Sequence, residues 1–188
     1  MKKRHGVLIL LTSLAVLTYL DRLCIAVLGP TMQKDLGLSP SQWGWVLGAF
    51  TLAYGSLEIP GGALGDRFGQ RRVLTRIVLW WSAFTALTGA IGPFTLDSGL
   101  RLRLPGGGEL PLVLNAFVLL VLVRFLFGAG EAGAFPNISG SASRWFPAVE
   151  RARVQGLVWG ASRLGAVLAP LLVGLIVGAF HSWRAAFW

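Results

Sequence analysis

Five stretches of the chain stay apolar for long enough to cross the roughly 30 Å of hydrocarbon in a bilayer, which takes about 20 helical residues. They cover residues 6–29, 43–65, 77–94, 112–135 and 154–180. The third carries no charge, and the others are interrupted only by Asp21-Arg22, Glu58, Arg124 with Glu131, and Arg163. The closing Trp183-Arg-Ala-Ala-Phe-Trp188 reads as a short loop and the first residues of a sixth helix. This pattern predicts an all-α membrane protein with five transmembrane helices and the start of a sixth.

The connections set an orientation. Ten of the 17 lysines and arginines fall on one side, in residues 2–4, 67–76 and 144–153. The other side holds Lys34, Arg101, Arg103 and Arg184. Because positive charge is retained in the cytoplasm, the amino terminus and the arginine-rich loops are expected there, in a bacterial plasma (inner) membrane. Met1-Lys-Lys-Arg-His followed by an apolar run resembles a signal peptide, but no small-x-small cleavage site follows, so the run is read as an uncleaved first membrane helix. Ser39-Pro-Ser-Gln ahead of Trp43 reads as a helix start, with Trp43 and Trp45 in the interfacial belt. Pro93–Pro111 is rich in glycine and proline, reads as a flexible surface loop, and is assigned no chemistry.

Composition agrees with a membrane protein. The chain has 188 residues, 54% of them hydrophobic and only 13% charged, against about 25% charged in soluble domains. Its mean hydropathy is +0.66. A net charge of +9 would point to nucleic acid in a soluble protein, but here orientation in the bilayer accounts for it and no nucleic-acid partner is expected. Cys24 is the only cysteine, and His5 and His181 lie at opposite ends, so neither a disulfide framework, a metal site nor a cofactor is expected.

The densest polar signal is Arg124-Phe-Leu-Phe-Gly-Ala-Gly-Glu131-Ala-Gly-Ala-Phe-Pro136. Arg124 and Glu131 stand seven residues apart, close to two turns, and so share one helix face. Each charge costs several kcal/mol in hydrocarbon. Gly128, Gly130 and Gly133 remove bulk and let a neighbour approach the backbone. The pattern leaves two readings open: a polar stripe facing a cavity inside the bundle, or a buried Arg–Glu pair that locks two helices together.

Between the second and third stretches runs Gly62-Ala-Leu-Gly-Asp66-Arg67-Phe-Gly69-Gln-Arg71-Arg72-Val-Leu74. Its glycines, its aspartate at a helix end and its crowded arginines suit an ion-paired latch made in one conformation and broken in another. The bland reading is a basic loop with a solvated Asp66. The loop resembles the signature between the second and third helices of the major facilitator superfamily. Further stretches narrow the resemblance to its anion:cation symporter family of sugar-acid, hexuronate and phthalate permeases. They are Tyr19-Leu-Asp21-Arg22, Pro30–Ser39, Arg124–Pro136, Arg144-Trp-Phe-Pro147 with Glu150-Arg151, and Trp183–Trp188.

The resemblance implies a twelve-helix fold of two six-helix halves with substrate held between them. This chain matches the amino-terminal half, and a carboxy-terminal six-helix half is the expected partner. Residue by residue, Arg22 and Arg124 match the basic positions that hold an anionic group, which calls for charge-assisted, often bidentate, hydrogen bonds. Tyr19 and Tyr54 match cavity tyrosines, with plain packing the alternative for both. Glu131 and Asp21 match carboxylates implicated in proton coupling, since a buried carboxylate beside an arginine can exchange its proton for the pairing. Gly62, Asp66, Arg67, Gly69 and Arg71 form the expected conformational latch. Arg163 is read either as a third cavity cation or as half of an ion pair with the missing half. Glu58 is read as structural.

The implied function is secondary transport of a small organic anion, sugar acids foremost, by proton symport with alternating access. The rival from another class is a non-transporting anion-binding or sensor module, or a truncated transporter needing a partner half. An enzyme is not expected: the acid–base cluster lacks a nucleophile, a metal set and a phosphate loop.

Overall fold

A computed structural model describes residues 3–103 and 109–188, with side chains described outside 96–113. Six α-helices carry the fold: α1 (Lys3–Leu36), α2 (Pro40–Phe68), α3 (Gln70–Ala90), α4 (Ala116–Glu131), α5 (Ala134–Trp145) and α6 (Ala148–Phe180). A short 3-10 helix, Trp183–Phe187, follows. Helix α1 packs along α6, and α2 along α4, while α3 covers the α4–α5 pair from the other side.

Local chemistry explains the helix ends. Ser39 caps α2 with a capping box, its hydroxyl accepting from the Gln42 backbone while the Gln42 side chain accepts from the Ser39 N–H. Gly37 and Gly69 take positive φ, 65° and 87°, at the two turns flanking α2, where a side chain would be strained. The Asn115 side chain caps α4 by accepting from the Val118 N–H at 2.9 Å.

Several boundaries differ from the sequence expectation. The stretch 77–94 overshoots, because α3 ends at Ala90 ahead of Gly92-Pro93. The stretch 112–135 starts early and runs through a break: α4 begins at Ala116, and Ala132–Gly133 separate Glu131 from α5. Pro136 has no N–H to give the Ala132 carbonyl, which weakens the helix there. The other helices extend past their apolar stretches into polar flanks. Part of Pro93–Pro111 is ordered as an antiparallel hairpin, β1 (Thr95–Arg103) with β2 (Glu109–Asn115), pairing Leu96 with Leu114 and Leu102 with Leu110. Residues 104–108 of that loop, and Lys2 of the basic amino terminus, lie outside the described residues.

Among the described residues, four segments are both long and apolar enough to cross a membrane: α1, α3, α4 with α5, and α6. Helix α2 is long enough, 29 residues or about 44 Å, but glycine, tryptophan, tyrosine and proline fill much of it in place of leucine and valine. Only 17% of the most apolar stretch of α6 is buried within the bundle. Side chains such as Val167, Leu171 and Leu175 therefore face outward, which suits lipid and not water.

The α2–α4–α5 contact is unusually close. A Cβ on Gly61 would meet the Gly133 Cα at 2.7 Å, backbone against backbone. Asn137, fully buried, spans this contact and donates to the carbonyls of Gly61 (2.9 Å) and Gly133 (2.7 Å). The second bond satisfies a carbonyl within the break, and the first ties it to α2. Gly61→Val is expected to lower stability by about 1–3 kcal/mol, because no flexible side chain is there to yield. Gly48→Val, where the same position is open, is expected to shift it by no more than about 0.5 kcal/mol. Thermal unfolding in detergent compares the two, and equal losses would mean that the close contact is not made.

Candidate functional site

Two helices bring the membrane charges together. Arg22 comes from the middle of α1, Glu131 from the last residue of α4, and Arg124 from two turns earlier on the same helix. Arg22 Nε donates to Glu131 Oε1 at 2.8 Å across a sequence separation of 109. Glu131 is wholly buried, and the Arg22 side chain keeps 20% of its surface exposed. The guanidinium of Arg22 lies 4.1 Å from the Tyr54 ring centre and 5.3 Å from that of Phe50. Such cation–π contacts hold a cation where water is scarce without neutralising it.

Arg124 is also buried, at 3% exposure, but no carboxylate among the described residues comes within ion-pair distance of it. Its guanidinium rests against Phe127 and Phe50, 4.6 and 5.0 Å from their ring centres. Among the described residues, three buried polar atoms of the cluster have no hydrogen-bond partner: Arg124 Nε, Arg22 Nη2 and Glu131 Oε2. Buried charged atoms without partners are expensive to keep. Donors left open on two arginines are what an anion would complete.

The two open readings of Arg124 and Glu131 therefore come apart. The salt bridge that locks helices is Arg22–Glu131, between α1 and α4. Arg124 is left beside it without an ion-pair partner among the described residues. The glycines around it admit neighbouring helices: Gly128 faces the Phe50 backbone, Gly133 faces Gly61, and Trp80 covers Gly130 while donating from its indole N–H to the Leu126 carbonyl at 2.8 Å.

The remaining expected residues divide. Tyr54 joins the cluster through Arg22 and donates its hydroxyl to Glu58 at 3.3 Å, which draws Glu58 toward the site. Tyr19 stands 5.6 Å from the Arg22 guanidinium, edge-on to Phe135, and 5.4 Å from that of Arg163. Arg163 is exposed on α6, so the cluster opens toward that surface. Asp21 is half-buried and has no ion-pair partner among the described residues. The latch residues lie apart, at the α2–α3 turn. Asp66 is exposed there, accepts from Gln70 at 3.4 Å and stands 3.9 Å from Arg144 at the end of α5. Arg67 lies over Phe68, Arg71 is exposed, and Gly62 packs on Pro136.

The Major Facilitator Superfamily model matches residues 11–188. This chain belongs to that superfamily. Among superfamily relatives, it is 34% identical over 186 residues to a probable sulfoacetate transporter of Cupriavidus necator, covering 99% of this chain and 38% of that protein. It is 33% identical to a probable galactarate/D-glucarate transporter of Bacillus subtilis, covering 98% and 36%, and 31% identical to the hexuronate transporter of that organism, covering 99% and 38%. A crystal structure of a bacterial homolog of the human lysosomal transporter Spinster, inward-facing and occupied, superposes with TM-score 0.79 at 25% identity, over 98% of this chain and 40% of that one. The chain thus spans a little over a third of the length of the curated relatives it matches. These relatives are named as transporters and none as an enzyme, in line with the acid–base cluster that lacks a nucleophile.

Asn137 was not singled out from the sequence. An asparagine directly after Pro136, in an otherwise apolar run, was the available signal. Phe50 was also missed, because an aromatic residue in a membrane helix carries no mark of the two guanidinium groups it separates.

Proposed function

We propose that this chain is the amino-terminal half of a secondary transporter that moves small organic anions, sugar acids foremost, by proton symport with alternating access. The observation that carries the reading is Arg124, a buried cation with no ion-pair partner among the described residues, set beside an arginine whose counter-ion is a carboxylate on the same helix as Arg124. The relatives named for sulfoacetate, galactarate/glucarate and hexuronate support it, since each of those molecules bears at least one acid group that is ionised at neutral pH.

In this reading Arg124 takes the acid group of the substrate through charge-assisted hydrogen bonds, and the free Nη2 of Arg22 adds a second point of attachment. Tyr19 and Tyr54 flank the site with hydroxyls suited to a polyol chain. As the substrate's charge draws Arg22 away from Glu131, that buried carboxylate loses its counter-ion and takes a proton instead. Anion and proton binding are then linked, each raising the affinity for the other. Asp21 is the second candidate for this proton, and Arg163 extends the basic wall. The Asp66 turn acts as the latch, with Gly62, Arg67, Gly69 and Arg71 around it, and favours the outward-facing state. The other wall of the cavity comes from a carboxy-terminal six-helix half. The amino terminus lies in the cytoplasm of a bacterial cell, with the protein in its inner membrane, in keeping with the basic residues gathered at one end of the bundle.

The test is uptake of labelled glucuronate and galactarate by the full-length protein in proteoliposomes. Saturable uptake, inhibited by sugar acids and not by glucose or galactose, is expected. Equal inhibition by the neutral sugars would remove the role given to the arginines.

A further inference from the structure

The basic end of the bundle carries a second feature, remote from Arg22 and Arg124. Two grooves run along opposite sides of one ridge of α3 formed by Arg71, Thr75 and Leu79, residues one turn apart. The outer groove is a shallow, open furrow along α3 itself, with Arg72 and Arg76 at its polar end and Trp80, Ala83 and Phe84 below. The inner groove, about 790 Å³, lies between α1, α3 and α5. Its walls are Leu10, Leu14, Leu74 and Val78, and its polar end holds Ser141, Arg144 and Trp145.

Both grooves therefore have the same polarity along the helix axis: arginines at one end, hydrocarbon walls at the other. The charged side chains lining the grooves at that end are Arg71, Arg72, Arg76 and Arg144, with Asp66 beside Arg144 and Glu150 engaged by Arg4. Asp66 is 80% exposed and 3.9 Å from Arg144, a surface pair that holds little of the charge. A soluble anion would satisfy the arginines and leave the leucine and valine walls unused. A neutral lipid would fill the walls and leave the arginines unmatched. We propose that the two grooves hold the two acyl chains of one anionic phospholipid, which straddles the α3 ridge with its phosphate among Arg71, Arg72, Arg76 and Arg144. Basic pockets between membrane helices suit such headgroups. Trp145, partly exposed at the end of α5 beside Arg144, sits where interfacial tryptophans anchor at headgroup level.

Native mass spectrometry of the delipidated full-length protein tests this, titrated with dioleoyl phosphatidylglycerol or dioleoyl phosphatidylcholine. One phosphatidylglycerol is expected to bind about tenfold more tightly than phosphatidylcholine, because the exposed arginines attract the anionic headgroup. The Arg72→Gln/Arg76→Gln/Arg144→Gln variant is expected to lose this preference. Val78→Trp, which fills the inner groove and leaves the charges in place, is expected to weaken phosphatidylglycerol binding, as is replacement of the lipid by its single-chain lyso form. Equal binding of the two lipids would overturn the proposal even if no variant folds. So would displacement of phosphatidylglycerol by millimolar inorganic phosphate, which would mark a soluble-anion site. Full binding by the lyso form or by Val78→Trp would remove the two-chain arrangement.

Discussion

Arg124→Ala is expected to weaken sugar-acid binding by roughly 10- to 150-fold, the range that follows from losing about 1.5–3 kcal/mol of hydrogen bonding to a charged group. The same change is expected to leave the bundle folded, with a melting temperature equal to or above that of the parent. The two expectations come from one observation. Arg124 is buried with its Nε unpartnered and no carboxylate within ion-pair distance among the described residues, so the fold gains no ion pair from it and bears the cost of its desolvation. A residue that stabilised the bundle would behave in the opposite way: truncation would lower the melting temperature, and binding would fall only as far as the fold did. Arg124→Lys keeps the charge and loses the planar fork, and is expected to fall between parent and Ala. Isothermal titration with glucuronate, beside a thermal melt of each variant, separates these cases. Unchanged affinity in Arg124→Ala would take away its role as the anion's partner.

The sequence was informative about which residues are unusual and much less so about which of them meet. Arg22, Arg124 and Glu131 stand out because a charge inside an apolar run is costly, and that signal needs only the chain itself. The seven-residue interval between Arg124 and Glu131 assigns them to one face of one helix and nothing more. Whether Glu131 turns to Arg124 or to Arg22 depends on how α1 lies against α4, and that is decided by packing among residues far apart in sequence. The same limit applies to the glycines of 128–133. Their need for close approach was legible, but not that the visitors are Phe50, Gly61 and Trp80.

Boundaries failed where two rules competed. Apolar content carried the expected fourth span back to residue 112, although Asn115 is the cap and Pro111 and Asn115 both belong to a strand. The hairpin was hidden for a related reason. Gly and Pro marked the region as a loop, and they outweighed the alternation Leu100-Arg101-Leu102-Arg103, whose period of two is that of a strand. The break after Glu131 was marked by Pro136, four residues beyond Ala132, but a proline alone does not tell a kink from a helix end. Buried Asn137 resolves it here, through bonds to Gly61 and Gly133 that join the break to α2.

Glu131→Gln is expected to abolish accumulation of substrate driven by an inward proton gradient, while exchange of labelled for unlabelled substrate continues. Glutamine has nearly the shape of glutamate, and its carbonyl oxygen can still accept from Arg22 Nε, as Glu131 Oε1 does at 2.8 Å. The helix contact is thus retained, and Arg22 and Arg124 stay where they are. What is lost is the ability to trade a counter-ion for a proton. In the proposed mechanism, moving Arg22 onto an anion strands a buried carboxylate, whose other oxygen has no partner among the described residues, and protonation relieves that cost. In the variant nothing is stranded, so substrate binding no longer depends on pH through this group, and a proton gradient has nothing to act on. Affinity at high pH is expected to be the same as or greater than the parent's, because the anion no longer competes with a carboxylate for Arg22. Counterflow and gradient-driven uptake in the same proteoliposomes give the two readouts. If accumulation persists in Glu131→Gln and disappears in Asp21→Asn, the coupling proton belongs to Asp21, half-buried one residue before Arg22. If it persists in both and in the double variant, proton coupling through this cluster is wrong and another ion drives the transporter.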